Sequence, residues 1–212
     1  EQIKKIAICS VVPEVLHSLK NACKKYFNLN PFVLQAGVKT GLKIKYRNPL
    51  EVGTDRIANA IAASHTYPNQ NLMVVDFGTA TTFEAITAAG EYLGGAISPG
   101  IGVAAEALAL RAARLPEVDV ARPPSVIGRN TVHSMQSGLL FGYAGMVDAM
   151  VSRIRAELEG EVRVIATGGL AERIASETES IERVEPYLTL EGLRILFDKN
   201  RPQRAEGPRK EK

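Results

Sequence analysis

Leu72-Met73-Val74-Val75-Asp76-Phe77-Gly78-Thr79-Ala80-Thr81-Thr82-Phe83-Glu84 is the stretch on which the fold of this chain turns. Its four leading apolar residues predict a buried strand. The strand ends on a carboxylate, followed at once by glycine and threonine and then by a β-branched and aromatic run. A strand–turn–strand with an acid, a glycine and hydroxyls at its bend can hold phosphate and metal. Glycine lets backbone N–H groups approach an anion closely. The Thr hydroxyls can donate to phosphate oxygens, and Asp76 can hold a cation. An ordinary hairpin with Asp-Phe-Gly as its turn fits the segment equally well when it is taken alone.

Downstream, the pattern predicts a three-stranded meander: Asn71–Asp76, Thr81–Thr87 and Tyr92–Ile97, with Ala89-Gly90 as the second turn. A helix is expected over Val103–Arg114, then a proline-rich loop over Leu115–Asn130 and a long helix over Thr131–Glu159. That helix carries Leu139, Leu140, Met146, Val147 and Met150, which suit a core face and an interface equally. A buried strand is expected at Val162–Ala166, followed by Thr167-Gly168-Gly169 and helical segments near Leu170–Glu177 and Thr189–Asp198. Upstream, Lys5–Val12 predicts a strand, Glu14–Phe27 a helix, Phe32–Leu34 and Leu42–Tyr46 short strands, and Asp55–Ser64 a helix. Tyr67–Asn71 suits a domain hinge. The run Ile6–Val12 is apolar throughout, as in a strand covered on both faces, yet few strands nearby can pair with it.

The chain of 212 residues carries 26 basic and 23 acidic residues, a net charge of +3. Five basic and two acidic residues lie in Arg201–Lys212, so the first 200 residues hold 21 of each sign and are neutral. No basic stripe with interleaved aromatics argues for nucleic acid. No apolar run approaches a membrane span, and no secretory pattern opens the chain. Cys9 and Cys23 are the only cysteines, which suggests no disulfide framework and a cytoplasmic compartment. His17, His65 and His133 lack metal-ligand spacing, and no Gly-x-Ser-x-Gly or Cys-x-x-Cys supports nucleophilic catalysis.

Three further groups can carry chemistry. Gly53-Thr54-Asp55-Arg56 stands at a loop-to-helix junction, where Asp55 can cap the helix or accept a proton from an attacking hydroxyl beside an anion-gripping Arg56. Gly94-Gly95-Ala96-Ile97-Ser98-Pro99-Gly100 leads into a helix and can bind an anion there or serve as a plain bend. Thr167-Gly168-Gly169 allows close approach of a flat ligand or a tight strand-to-helix turn. At Asn130-Thr131, the asparagine can cap the long helix and Thr131 can offer its hydroxyl to a ligand.

The order of these motifs resembles the type III pantothenate kinases, from about Ile6 to Phe197, with Ser10-Val11-Val12-Pro13 fitting the same family. The resemblance implies an α/β fold of two ribonuclease-H-like domains, the actin-like ATPase fold shared with sugar kinases and Hsp70. Residues 1–68 would then be the remainder of an N-terminal domain whose start is missing, 69–200 the C-terminal domain, and 201–212 a disordered basic tail. The implied activity is phosphorylation of pantothenate by ATP, the first step of coenzyme A biosynthesis, with Mg²⁺, a monovalent cation (K⁺ or NH4⁺) and a homodimeric assembly. By the same resemblance Asp55 is the general base. Tyr46, Gly53, Thr54, Arg56 and Thr131 contact pantothenate, Gly78, Thr79, Gly95 and Gly168 contact ATP, and Asp76 holds the monovalent cation.

The chain departs from the family pattern twice. The Asp-x-Gly-Asn-Thr phosphate loop that opens the family does not occur. The expectation is that about fifty residues, a meander's worth, precede Glu1, and that the 212 residues alone are inactive. The second motif usually ends in Asp, where this chain has Glu84. Two alternatives stay open: a non-catalytic relative acting as a binding or regulatory module, and a kinase of the same superfamily specific for another acceptor.

Overall fold

The computed structural model describes residues 2–200 other than Val11 and Ala36. The strand expected over 5–12 lies partly outside the described residues, and the tail 201–212 lies wholly outside them. The elements in chain order are β1 (Ala7–Ile8), α1 (Pro13–Phe27), β2 (Phe32–Val33), β3 (Lys43–Ile44), α2 (Thr54–Thr66), β4 (Asn71–Phe77), β5 (Ala80–Ile86) and β6 (Glu91–Pro99). They continue with α3 (Ile101–Arg111), α4 (Thr131–Arg155), β7 (Val162–Thr167), α5 (Ala171–Ala175), β8 (Arg183–Val184) and α6 (Leu188–Lys199).

Six strands form one mixed sheet in the order β3-β6-β5-β4-β7-β8. β4, β5 and β6 are the expected antiparallel meander; β7 joins β4 in parallel and β8 joins β7. The central β4 reads as a continuous apolar run because both of its faces are covered. Leu72 and Val74 face a core built with α2 and α6, whereas Met73, Val75 and Phe77 face a core built with α3, α4 and α5. Leu139, Leu140 and Val147 of α4 are buried in that second core, and Met146 and Met150 pack on it, so the apolar stripe of α4 is a core face.

β1 pairs in parallel with β2 alone, forming a separate two-stranded sheet on the α2/α6 side. The expected strand at Leu42–Tyr46 shortens to β3, which pairs in parallel with the start of β6. The Arg47–Pro49 break is a 3₁₀ turn over Pro49–Glu51, with Asn48 accepting from the Leu50 N–H at 3.2 Å. α2 and α6 touch at backbone distance. A Cβ added at Gly192 would collide with the Ala58 carbonyl, and the Ala58–Ala63 run of α2 is small enough to permit that approach. This packing holds the first turns of α2 against the end of β4 and the middle of β5.

Candidate active site

α2 begins at Thr54 with Gly53 as its N-cap, so Asp55 occupies the second helical position rather than the cap. The Asp55 side chain turns back on its own helix start: Oδ1 accepts from the Arg56 N–H at 2.9 Å, and a Cβ on Gly53 would stand 2.5 Å from it. The carboxylate is exposed, at a helix N-terminus where the backbone dipole favours negative charge. Cys9 Sγ lies 3.3 Å from Thr54 Oγ1, which brings β1 to the edge of the same group.

The next turns of α2 point into the sheet. Arg56, only 6 % exposed, donates from Nε to Glu84 Oε1 at 2.9 Å. Its guanidinium lies 5.9 Å from the Tyr92 ring centroid, and Tyr46 packs on Tyr92 with ring centroids 6.5 Å apart. Glu84, Tyr92 and Tyr46 together raise the Arg56 pKa against the effect of burial. Three residues on, fully buried Asn59 donates to Asp76 Oδ2 at 2.8 Å and accepts from the Thr189 hydroxyl of α6 at 2.6 Å. Two polar residues at i and i+3 of one helix thus meet two acids on neighbouring strands.

Burial pushes the Asp76 carboxyl above its ordinary range; the Asn59 hydrogen bond opposes this, and the Asp55 charge adds to it. Burial drives Glu84 up to about 7, against the pull of the Thr82 hydroxyl and of Arg56. Arg56 Nη2, Glu84 Oε2, Thr81 Oγ1, Thr82 Oγ1 and Tyr92 Oη are buried and reach no partner at full hydrogen-bond geometry among the described residues, although Thr82 lies close enough to Glu84, and Tyr46 to Arg56, to act on their charge.

The phosphate-type turns gather at the C-terminal end of β4, beside Asp76. Gly78 and Thr79 are exposed at the β4–β5 bend. The Gly100 N–H donates to the Thr79 carbonyl at 2.9 Å, which ties the start of α3 to that bend. Gly168 has φ +97°, and a Cβ there would stand 2.6 Å from the Phe77 carbonyl and 2.7 Å from Asp76 Oδ1. Only glycine suits both this conformation and this approach. Asp76 Oδ1 and the Phe77 carbonyl are hard oxygen donors side by side, which suits a K⁺-type or other hard cation. No group of three or more His, Cys, Asp or Glu side chains converges among the described residues.

Tyr46, Gly53, Thr54, Asp55 and Arg56 come together, and Gly78, Thr79, Asp76 and Gly168 form a second group linked to the first through Asn59. Gly95 is elsewhere: it pairs with Glu84 in the middle of β5–β6, where a Cβ would run into the Phe83 carbonyl. Thr131 is exposed at the first position of α4, on the opposite face of the sheet, with Asn130 capping through the His133 N–H at 2.9 Å. Asn59, Thr189 and Tyr92 escaped the sequence reading. Asn59 lies one helical turn beyond Arg56 on the same face, a spacing that could have flagged it.

The sheet order, an antiparallel meander extended in parallel by β7 and β8, is that of a ribonuclease-H-like α/β protein. A Campylobacter jejuni protein assigned to the Baf family of transcriptional activators has a similar fold, with a TM-score of 0.61 at 18 % identity over 94 % of this chain and 85 % of that one. The sequence profile of the type III pantothenate kinases matches residues 1–153. A type III pantothenate kinase of Geobacter sulfurreducens is 53 % identical over 201 residues, covering 95 % of this chain and 78 % of that protein. The Myxococcus xanthus enzyme is 52 % identical over 199 residues, covering 94 % and 77 %. The chain belongs to the type III pantothenate kinase family.

Proposed function

We propose that this protein transfers the γ-phosphoryl group of ATP to the primary hydroxyl of pantothenate, the first step of coenzyme A biosynthesis. The observation that carries the reading is the placement of exposed Asp55 beside the ion-paired Arg56, joined through Asn59 to Asp76 at the Gly78–Thr79 bend. Asp55 accepts the hydroxyl proton as the pantothenate oxygen attacks phosphorus and ADP leaves. Gly53, Thr54, Arg56 and Tyr46 hold the acceptor. Gly78, Thr79 and Gly168 approach ATP through backbone and hydroxyl donors; Gly95 supports the sheet under Arg56 and Glu84 instead.

Asp76 Oδ1 with the Phe77 carbonyl would hold the monovalent cation, K⁺ or NH4⁺, and Mg²⁺ enters with the ATP phosphates. Bound there, the cations supply neutralisation of phosphate charge. The raised pKa of Asp76 makes its carboxylate dependent on such a partner.

The protein works as a cytoplasmic homodimer. Exposed Leu108 and Leu110 at the end of α3, Val126 and Ile127 in the following loop, and Val132 at the start of α4 support that assembly. Thr131 lies among them and meets pantothenate only where two copies come together. We also propose a division near residue 68. The order of β6-β5-β4-β7-β8 supports one ribonuclease-H-like unit over 69–200, with the preceding residues, in which β1 and β2 form their own sheet, as the remainder of another.

Assay of intact protein with ATP, Mg²⁺, K⁺ and pantothenate tests the reading. Phosphopantothenate should form, and Asp55→Asn should lower kcat by about 10²-fold or more, the usual scale of a general base. Full activity in Asp55→Asn, or phosphorylation of other hydroxyl compounds but not pantothenate, would refute it.

A further inference from the structure

Glu84 is fully buried in the middle of β5, flanked by buried Phe83 and Ala85. A carboxylate in such surroundings is costly unless paired, and a buried ion pair is rarely more stable than apolar side chains of the same volume. Stability alone therefore gives little reason for Glu84 and Arg56 to be there. The pair is also incompletely satisfied. Arg56 makes its ion pair through Nε, while Arg56 Nη2, Glu84 Oε2, Thr82 Oγ1 and Tyr92 Oη reach no partner at full hydrogen-bond geometry in the same buried region. A half-satisfied polar network of this kind is expensive, and it concentrates where function requires it.

The position of the pair says what it controls. Arg56 follows Asp55 directly, and its N–H already holds the Asp55 carboxylate. The guanidinium is confined on one side by the Tyr92 ring and on the other by Glu84. It is therefore fixed about its own plane, and the edge carrying Nη2 stays unspent. The ATP side of the site is held separately, by Asn59 and Asp76 one turn further along α2.

We infer that Glu84 is a positioning residue for the acceptor: through its grip on Arg56 Nε it orients the guanidinium, so that the remaining N–H groups bind the anionic acceptor and not ATP. This rests on the assignment of Arg56 to the pantothenate side of the site.

The test is a double-mutant cycle on intact protein, read as KM for pantothenate and for ATP, kcat, and calorimetric Kd for pantothenate. Glu84→Gln should raise the pantothenate KM and Kd by about tenfold or more while the ATP KM stays within about twofold, the split expected of lost acceptor binding. Glu84→Asp, which keeps the charge but is one methylene shorter, should give an intermediate rise of about two- to fivefold. In an Arg56→Ala background, adding Glu84→Gln should change the pantothenate constants no further, since Glu84 acts only through Arg56.

Wild-type pantothenate constants in Glu84→Gln, equal rises for both substrates, or full additivity with Arg56→Ala would overturn the inference and leave the functional assignment standing. Unchanged pantothenate constants in Arg56→Ala, or no binding or turnover of pantothenate by the wild type, would overturn both. Should Glu84→Gln be recovered unfolded, Glu84→Asp decides: a selective rise in the pantothenate constants supports the inference and wild-type values sink it.

Discussion

Replacing Asn59 with alanine isolates the connection between the two halves of the site. Asn59 is fully buried and makes two side-chain hydrogen bonds, donating to the Asp76 carboxylate at 2.8 Å and accepting from Thr189 Oγ1 at 2.6 Å. A bond to a charged group contributes about 1.5–3 kcal/mol and a neutral one about 0.5–1.5 kcal/mol, so the truncation should cost about 2–4 kcal/mol. For a protein of this size each kcal/mol moves Tm by about 2–4 °C, which predicts a drop of roughly 5–15 °C by calorimetry or dye-based melting. Thr189→Ala removes only the neutral bond and should cost about 1 kcal/mol, a shift of a few degrees. Removing the Asn59 donor also removes what opposes the upward shift of the Asp76 carboxyl. If ionised Asp76 holds the cation, the acidic limb of the rate profile should move to higher pH in Asn59→Ala. A melting temperature within 2 °C of wild type, or equal drops for the two variants, would show that the pair of bonds does not carry this load.

Two further outcomes follow from the same packing. Gly192→Ala places a methyl group against the Ala58 carbonyl where α6 crosses α2; overpacking of this kind should destabilise by about 1–3 kcal/mol, read as a lowered Tm, with loss of activity following because α2 carries Asp55. Glu84 has a folded pKa of about 7 against an ordinary value of 4.5. The folded state therefore binds more protons than the unfolded state between those values, and this group's contribution falls as pH rises through them. Comparing urea unfolding of wild type and Glu84→Gln at pH 5 and pH 7.5, the wild type should lose up to about 3 kcal/mol relative to the variant as pH rises. A difference independent of pH would refute the buried titration.

The meander and its flanking elements were legible because each carries an undisguised period. Leu72–Val75 announced a buried strand, and Gly90, at φ +72°, marked the turn between β5 and β6. Strands of two residues were not legible in their true extent. The apolar run at Ile6–Val12 suggested a strand covered on both faces, yet among the described residues the assigned strand is Ala7–Ile8, paired with Phe32–Val33 through hydrogen bonds from Phe32 to Ile6 and from Leu34 to Ile8. β8 at Arg183–Val184 has no period at all and exists because β7 offers it an open edge. The long α4 ends at Arg155 rather than Glu159, its last carbonyls being taken by a turn at Ala156–Leu158.

At the site, local chemistry was legible and cross-chain pairing was not. Asp55, Asp76 and the glycine turns stand out through their order along the chain, because each acid or glycine at an element end also has an ordinary capping or turn role. Gly95 was assigned by its neighbours in a glycine-rich string, although its own lack of a side chain answers to the Phe83 carbonyl across the β5–β6 ladder. Glu84 was visible only as an oddity at the end of a motif. The alternation of β5 puts Thr82, Glu84 and Ile86 on one face, and Ile86 reaches the α2/α6 core. That period already points to a buried partner for Glu84, since a buried carboxyl must be paired or protonated. Arg56, on an otherwise apolar stretch of α2, meets the requirement. The two residues lie 28 positions apart in sequence. Each looks misplaced alone, and the fold resolves both at once by making the helix that carries Asp55 answer to the strand behind it.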